Sequence, residues 1–362
     1  MECKILFLEP FYGGSHKDFA DGLVRHSRHH IELMTLPDRF WKWRMRGAAL
    51  HFADMIENPS EYDLILVSDL LSLSDLTAFF GKKMPPTCLY FHENQLSYPV
   101  PKDEERDVHF GFTDITSAVS ADRIMFNSHF HYDSFLNELP RFLGRMPEYR
   151  PNWVIEEIRK KSQVVYPGIE LPASGRTKKE KLDAPLILWN HRWEFDKGPE
   201  VFFHTLYELD KRGLHFYLAL AGENFQTVPK PFLEAKDFFG DRVLQYGYIS
   251  DKREYQTLLL QADIIVSTAY QENFGISVLE AAAAGCHPLL PARLSYPEIL
   301  PDRYHRNCLY TSEEDLAAKL AKLLGSDPIE PPAGLSREAA RFSWAGRICE
   351  FDDLFTKWFS GG

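Results

Sequence analysis

The chain has 362 residues, with 41 Lys or Arg against 52 Asp or Glu, and a formal net charge of −11. This length predicts two domains, each with its own core, and excludes a small disulfide-stapled scaffold. With this negative charge, general electrostatic binding of nucleic acid is not the default expectation, so a polyanionic partner would have to be held by local basic patches.

The number and spacing of the cysteines, together with hydropathy, indicate the cellular compartment of the protein. The five cysteines, Cys3, Cys88, Cys286, Cys308 and Cys349, contain no C-x-x-C pair and make a poor disulfide framework. The apolar run at 5–8 is shorter than the roughly 7 to 15 residues of a secretory signal, and no run approaches the roughly 18 of a membrane span. We therefore expect a cytoplasmic protein with no membrane partner.

Short β-rich runs alternate with helical stretches along the whole chain. The first series predicts strands at 4–8, 31–36, 63–67, 87–91, 123–126 and 163–166. The second predicts strands at 186–189, 216–221, 243–246, 263–267 and 288–290. This alternation is typical of parallel sheets with crossover helices, so we predict an α/β protein with two Rossmann-like, doubly wound domains.

The segment 171–185, rich in proline, small residues and lysine, is typical of a linker and places the boundary near residue 180. We predict domains at 1–175 and 183–335, followed by a terminal segment at 336–362. Aromatic residues recur in that segment close to helical spacing, so this helix has to pack on a protein surface. From spacing alone, that surface could belong to either domain.

Two polar motifs follow predicted strands of the first domain. Tyr12-Gly-Gly-Ser-His-Lys17 begins a helix with Ser15 as a candidate N-cap, and it matches neither the Walker loop nor G-x-G-x-x-G. Phe91-His-Glu-Asn-Gln95 clusters polar side chains where a strand ends. His92 could serve catalysis or simply be a hydrogen-bonded structural histidine.

Two further motifs lie in the second domain. Glu272 and Glu280 are eight residues apart around a helix that begins near Gly275, whose free N–H groups suit a phosphate. Arg192 and Lys197 lie in a loop after the first strand, where two cations could stabilise a departing diphosphate. The alternative is that Glu280 only solvates a helix face and that both cations are solvated.

Basic residues mix with aromatic ones in two segments. Residues 25–46 hold six Arg or Lys and two Trp, including Arg39, Lys42, Arg44 and Arg46. A second cluster comprises Arg141, Arg145, Arg150, Arg159, Lys160 and Lys161, with Tyr149 and Trp153. Either could bind RNA or be a solvated helix with buried tryptophans; we favour RNA contact for the first.

These motifs, in this order, resemble the retaining glycosyltransferases of family 4, which have the GT-B architecture. The resemblance implies two domains facing a cleft and a C-terminal helix that crosses back to the N-terminal domain, entering at Phe342-Ser-Trp344. It implies that Glu272 contacts the donor sugar, that Glu280 holds the ribose and that His92 contacts the transferred sugar. It assigns the diphosphate to Arg192, Lys197, Gly13 and Gly14, and places Asn190, Asn273, Phe274, Gly275 and Ile276 around the donor.

A narrower resemblance covers the N-terminal half, through residues 8–17, 36–46 and 91–99. These segments are similar to the tRNA-queuosine α-mannosyltransferases, which transfer mannose from GDP-mannose to the cyclopentenediol of queuosine in the anticodon of tRNA-Asp. The resemblance implies a tRNA partner, with the acceptor near Ser15, His16, Lys17, Glu93, Asn94 and the basic residues of 39–46. No D-x-D triplet occurs, so no metal is expected.

Other functions remain open at this stage. The same fold could transfer sugar to a lipid or polysaccharide acceptor, with residues 39–50 as an amphipathic basic face. A catalytically silent protein that binds RNA or nucleotides is another possibility, although it would have no evident need for all of Arg192, Lys197, Glu272 and Glu280. The donor base and sugar depend on the resemblance alone.

Overall fold

A computed structural model describes residues 2–100, 105–172, 182–223, 228–326 and 328–359. The chain divides into two compact units, the first formed by Met1–Ile169 with Trp344–Gly362 and the second by Glu170–Ser343. The first unit thus ends at Ile169 rather than 175. The centre of the predicted linker, at 173–181 and including residue 180, lies outside the described residues.

The first unit is a six-stranded parallel sheet between helices, with strand order β2-β1-β3-β4-β5-β6. Its strands are β1 (Lys4–Tyr12), β2 (His30–Pro37), β3 (Leu64–Ser68), β4 (Thr87–Phe91), β5 (Arg123–Phe126) and β6 (Ser162–Val164). Its helices are α1 (Gly14–His26), α2 (Trp41–Met55), α3 (Leu73–Phe80), α4 (Val108–Ser120), α5 (His129–Gly144) and α6 (Trp153–Lys161). All residues of β3 and β4 are buried, as a sheet covered on both faces requires.

The second unit repeats this architecture with strand order β12-β11-β10-β7-β8-β9. Its strands are β7 (Leu186–Asn190), β8 (Tyr217–Ala221), β9 (Val243–Gly247), β10 (Ile264–Val266), β11 (His287–Pro291) and β12 (Leu309–Tyr310). Its helices are α7 (Pro199–Lys211), α8 (Lys230–Phe239), α9 (Lys252–Gln261), α10 (Ile276–Ala284), α11 (Tyr296–Ile299), α12 (Asp302–Cys308), α13 (Glu313–Leu324) and α14 (Leu335–Ala340). No helix in the described parts of either unit is long and apolar enough to cross a membrane.

The two doubly wound α/β sheets confirm the predicted fold class. Each of the eleven predicted strands overlaps an observed one. Strand β12 was not predicted, because a strand of two residues is too short to show an alternation of apolar and polar side chains. The expected N-cap at Ser15 is wrong: α1 begins at Gly14, with Gly13 as its N-cap residue. The chain turns earlier than expected because the Gly13 N–H bonds back to the Phe11 carbonyl.

The last helix, α15 (Trp344–Phe359), packs within the first unit. The Trp344 N–H donates to the Ile169 carbonyl (3.2 Å), and Asp352 accepts from the Ser27 hydroxyl (2.6 Å). The Trp344 ring is 2% exposed and lies so close to Gly22 and Gly168 that a Cβ on either would come within 2.2 Å of it. Helix α14, which the sequence grouped with this terminal segment, belongs to the second unit.

We predict that Gly22→Ala destabilises the first unit by about 1–3 kcal/mol, because the added methyl group forces the buried Trp344 ring to shift. Gly47→Ala is the matched control: Gly47 also lies within a helix, and a Cβ there would meet nothing within 4 Å. Urea denaturation followed by circular dichroism measures both. Equal stability of the two variants would contradict the close packing at Trp344.

Candidate active site

The first unit carries a buried polar cluster at the carboxyl end of its sheet, where the strand order reverses beside β1. We call Glu9, His16, Asp69 and His92 the first-unit site. Glu9 is fully buried, and its Oε1 accepts from the Phe11 N–H (2.8 Å). Both Glu9 carboxylate oxygens lie 3.3 Å from His16 Nδ1. This edge at a switch point is where open α/β sheets bind ligands.

His92 lies against His16 in this site, with ring centroids 4.1 Å apart and ring planes inclined by 35°. Its backbone is fixed from two sides: Asp69 accepts from the His92 N–H (3.0 Å), and the His92 carbonyl accepts from Asn127 Nδ2 (3.0 Å). Phe19 contacts the His92 ring edge-on at 4.9 Å. His92 therefore has little freedom to turn, as a residue that orients a substrate requires.

The cluster separates the protonation states of its histidines. Burial opposes the charge on His16, yet the Glu9 carboxylate raises the pKa of His16 to about 9. Burial, and then the charge of His16, lower the pKa of His92 well below its usual range. Burial raises the pKa of Asp69 to about 7 against the opposing effect of His16. At neutral pH, His16 is therefore a cation paired with Glu9, and His92 is neutral.

Glu9, His16 and His92 also offer a donor set of the kind that zinc uses, with ligand atoms within 4.8 Å of one another. A ring nitrogen binds a metal through a lone pair in the ring plane. At neutral pH both ring nitrogens of His16 carry protons, because the Glu9 carboxylate raises the pKa of this ring to about 9, so His16 has no free lone pair for a metal. The arrangement fits a hydrogen-bonded ion pair beside a neutral histidine better than it fits a metal centre.

The structure places the other predicted first-unit residues in several roles. Gly13 approaches Asp38 so closely that a Cβ would lie 2.0 Å from its carboxylate, while Gly14 and Ser15 are exposed. Lys17 pairs with Asp21, and Glu93 accepts from Gln95 Nε2 (3.2 Å). Asn94 is 1% exposed and holds a turn by accepting from the Leu96 and Ser97 N–H groups, so its side chain is used within the protein.

The predicted basic segment 25–46 divides into two parts. Arg28 and His29 bind α15 through Asp353 and the Asp352 carbonyl, and are therefore structural. The second part is an exposed surface that follows Asp38, the neighbour of Gly13. We call it the α2 patch, and it is formed by Arg39, Phe40, Lys42, Trp43 and Arg46, all exposed. Trp43 is 78% exposed, whereas Trp41 is partly buried against Phe110, so the alternative of a core tryptophan holds for Trp41 and not for Trp43. Arg44 is partly buried and donates to the Pro37 carbonyl (3.3 Å), which indicates a structural role.

The second unit has its own site at the corresponding position, where β7 and β10 adjoin and the strand order reverses. Lys197 lies in the loop after β7 and is 6% exposed. Its Nζ donates to the Gln271 carbonyl (2.7 Å) and lies 3.0 Å from Asp196 Oδ2 and 4.0 Å from Glu272 Oε2. Arg192 lies in the same loop, with Nη2 3.7 Å from Glu194 Oε2. Arg192, Lys197, Glu272 and Glu280 are the second-unit site.

Glu280 does not solvate a helix face. Its side chain lies in the second turn of α10, is 8% exposed, and accepts from the Tyr255 hydroxyl at 2.7 Å. The Tyr255 oxygen in turn accepts from Asn190 Nδ2 at 2.8 Å, so the end of β7 and α10 are joined by side chains. This network fixes the Glu280 carboxylate, which can accept further hydrogen bonds from a ligand hydroxyl.

Backbone geometry prepares the start of α10 for an anion. Gly275 has φ +98° and caps the helix without a side-chain bond, so Ile276 begins the helix. The preceding loop is held by Ser295, whose hydroxyl bonds the Glu272 and Phe274 carbonyls. Phe274 is buried against Phe342, and Asn273 Oδ1 accepts from Gln271 Nε2. A helix N-terminus with a lysine and a glutamate nearby is suited to a phosphorylated sugar.

Sequence reasoning missed several residues on which these sites depend: Glu9, Asp69, Asn127, Asp196 and Tyr255. Glu9 and Asp69 did carry a signal, because each is an acid at the end of an apolar run that becomes a strand. Asp196 is buried beside Lys197, and its carbonyl accepts from the Tyr270 and Gln271 N–H groups. No sequence pattern indicated a role for Tyr255, because its hydrogen-bond partners Asn190 and Glu280 are distant in sequence.

The Glu9–His16 pair predicts a specific pH dependence of stability. Because the pKa of His16 is raised, its contribution to folding is fully present below pH 6.5 and lost as the pH rises to about 9. We expect the free energy of unfolding of the wild type, minus that of His16→Asn, to fall by about 3 kcal/mol over this interval. Exposed His30→Asn is the control. A difference that does not change with pH would refute the ion pair.

Each of the two units matches a known protein family. Residues 4–169 match the family described as tRNA-queuosine alpha-mannosyltransferase N-terminal, and residues 174–342 match glycosyl transferases group 1. The tRNA-queuosine alpha-mannosyltransferase of Drosophila melanogaster is 38% identical over 337 residues, which cover 88% of this chain and 87% of that protein.

Solved structures share the fold across the whole chain. Sucrose-phosphate synthase from Thermosynechococcus elongatus superposes with a TM-score of 0.75 at 15% identity, covering 99% of this chain and all of that one. HepE from Anabaena in complex with UDP gives 0.69 at 16% identity, covering 98% and 100%. These structures support the fold alone, whereas the extent of the match to the Drosophila enzyme shows the family: the chain is a glycosyltransferase that belongs to the tRNA-queuosine α-mannosyltransferase family.

Proposed function

We propose that this enzyme transfers mannose from GDP-mannose, with retention at the anomeric carbon, to the cyclopentenediol of queuosine at the wobble position of tRNA-Asp. The observation that carries the proposal is the family match over residues 4–169. This unit holds the first-unit site and the α2 patch, which in the proposal bind the acceptor. The second unit, which in the proposal binds the donor, would by itself be compatible with many nucleotide sugars.

The second-unit site would hold the donor. Lys197 and Arg192 would neutralise the diphosphate together with the N–H groups at the start of α10. Lys197 Nζ lies 3.0 Å from Asp196 Oδ2 and 4.0 Å from Glu272 Oε2, so carboxylates of the protein itself compensate its buried charge. Glu280, held by Tyr255, would accept from ribose hydroxyls, and Glu272 would accept from the sugar.

The proposed reaction takes place on one face of the sugar. The bond between the anomeric carbon and the diphosphate oxygen breaks, and a bond from that carbon to a queuosine hydroxyl oxygen forms. The hydroxyl proton passes to the departing phosphate oxygen, so no protein nucleophile is consumed. Neutral His92 would contact the transferred sugar, and the charge of His16 beside it is balanced by Glu9, which keeps the site from repelling a developing positive charge.

The α2 patch supports RNA as the acceptor. Exposed aromatic rings can stack on unpaired bases of an anticodon loop, and the neighbouring Arg and Lys side chains can bind its phosphates. A membrane-binding role for the same segment is less well supported, because the apolar face of α2 is used in the core: Met45, Ala48 and Phe52 are buried.

The direct assay combines the protein, GDP-mannose and tRNA-Asp that carries either queuosine or guanosine at the wobble position, in buffer containing EDTA. We expect mass spectrometry of digested nucleosides to show one added hexose on queuosine only. Nuclear magnetic resonance of the product reports the anomeric configuration. Transfer from a UDP-sugar but not from GDP-mannose would overturn the donor, and activity only after a divalent ion is added would overturn metal-independent transfer.

Lys197→Ala tests the role of this cation. We expect kcat to fall by about 100-fold or more with little change in tRNA affinity, because the charge acts on the departing diphosphate rather than on RNA. Lys230→Ala is the control, since Lys230 is an exposed lysine of the same unit. A thermal denaturation scan confirms folding, and a folded Lys197→Ala variant with wild-type kcat would refute this role.

A further inference from the structure

The proposed function leaves unused a second exposed surface of the first unit, the segment 145–153 that joins α5 to the start of α6. Five aromatic side chains among the described residues are more than 60% exposed: Phe40, Trp43, Tyr149, Trp153 and Tyr248. The first two lie in the α2 patch. Tyr149 (87%) and Trp153 (63%) lie in the segment 145–153. Among the described residues of the first unit, those aromatic side chains that are more than 60% exposed all lie in its two basic segments.

The backbone of this segment holds Tyr149 in an unusual conformation. Tyr149 has φ +52°, the left-handed region that residues other than glycine rarely adopt. Nearly nine-tenths of its side chain is exposed, so burial in the core does not compensate for this conformation. Strained residues of this kind are found preferentially at ligand contacts and other functional positions.

Charge around the two rings is positive in a chain whose total is −11. Residues 141–160 carry five Arg or Lys against three Glu. Arg141 pairs with Glu138 and Arg159 with Glu156, and Glu148 directly precedes Tyr149 in the sequence. Arg145 and Arg150 are exposed in the loop itself, where they flank Tyr149, and Arg150 Nε donates to the Met146 carbonyl (3.1 Å), which orients this guanidinium group within the loop.

Packing places this loop at the same edge of the sheet as the first-unit site. Near the end of α5, the Phe142 ring contacts Phe112 in the first turns of α4, with centroids 5.0 Å apart. That part of α4 lies at the carboxyl edge, because Asp114 accepts from the N–H of Gln95, just after β4. Helix α5 therefore ends at the edge where the first-unit site lies.

The course of α6 agrees with this placement. Its last residue, Lys161, donates to the Val119 and Ala121 carbonyls, which lie at the opposite edge, where β5 begins. Nine helical residues span about 13 Å, which matches the length of the four-residue strand β5. Trp153, at the start of α6, is therefore level with the carboxyl ends of the strands.

We propose that residues 145–153 form a second RNA contact of this enzyme, in which Tyr149 and Trp153 stack on exposed bases while Arg145 and Arg150 bind phosphates of the same tRNA. The inference rests on the proposed function, because it takes tRNA as the ligand. Aromatic rings between guanidinium groups form the kind of surface that binds looped RNA. The contact adds affinity for tRNA and leaves the transfer step unchanged.

Two double variants test this contact: Arg145→Glu/Arg150→Glu and Tyr149→Ala/Trp153→Ala. The control is Lys82→Glu/Lys83→Glu, which reverses two exposed charges of the same unit before β4, at the opposite edge. Fluorescence anisotropy with queuosine-containing tRNA between 50 and 200 mM salt gives the affinity and its salt dependence. Transfer assays give kcat and KM, and thermal denaturation confirms folding.

We expect the arginine variant to bind tRNA at least tenfold more weakly, with a slope of log K against log salt lower by about 2. The aromatic variant should lose about tenfold in affinity with its slope retained. Both should show raised KM for tRNA and unchanged kcat, and the control should match the wild type. Wild-type affinity and slope in both loop variants would overturn the second contact while leaving the proposed function intact. A wild-type protein that binds no tRNA would overturn both.

Discussion

Both sites depend on one constraint: a parallel sheet brings the carboxyl ends of all its strands to one edge, and a reversal of strand order leaves an opening there. In the first unit this brings together Glu9 from β1, Asp69 from the end of β3 and His92 from the end of β4. In the second it places Lys197, after β7, beside Glu272, after β10. Residues far apart in sequence thus become neighbours without any local motif.

Buried charge then determines what these neighbours can do. A lone carboxylate at the position of Glu9 would be costly, and its contacts with His16 and the Phe11 N–H compensate for its burial. The consequence is a charged His16 beside a neutral His92. Lys197 follows the same principle, because Asp196 and the Gln271 carbonyl satisfy it inside the protein. In each unit, neighbouring groups of the protein itself therefore compensate the buried charges of the site.

The sequence predicted the fold almost completely, because hydrophobic runs such as those of β3 and β4 are buried on both faces and flanked by turn residues. It also singled out Lys197, Glu272 and Glu280 as candidate donor-site residues, from motifs that follow a predicted strand or surround the start of a helix, and their roles stay predictions. It could not predict Tyr255 or Asp196, whose roles arise from contacts between elements. Ser15 shows the opposite error: a polar residue in the expected loop was assigned to the N-cap, although that position belongs to Gly13. The Asn94 side chain, expected near the acceptor, accepts from the Leu96 and Ser97 N–H groups.

The central claim is that the loop after β7 and the start of α10 together bind the nucleotide sugar. Hydrogen–deuterium exchange of the full chain with and without GDP-mannose tests it most directly, because the N–H groups concerned are exchange reporters themselves. The account predicts slower exchange in peptides covering 190–198 and 272–280, with residues 145–153 unchanged until tRNA is added. Protection by GDP-mannose elsewhere in the second unit, with none in those two segments, would contradict it.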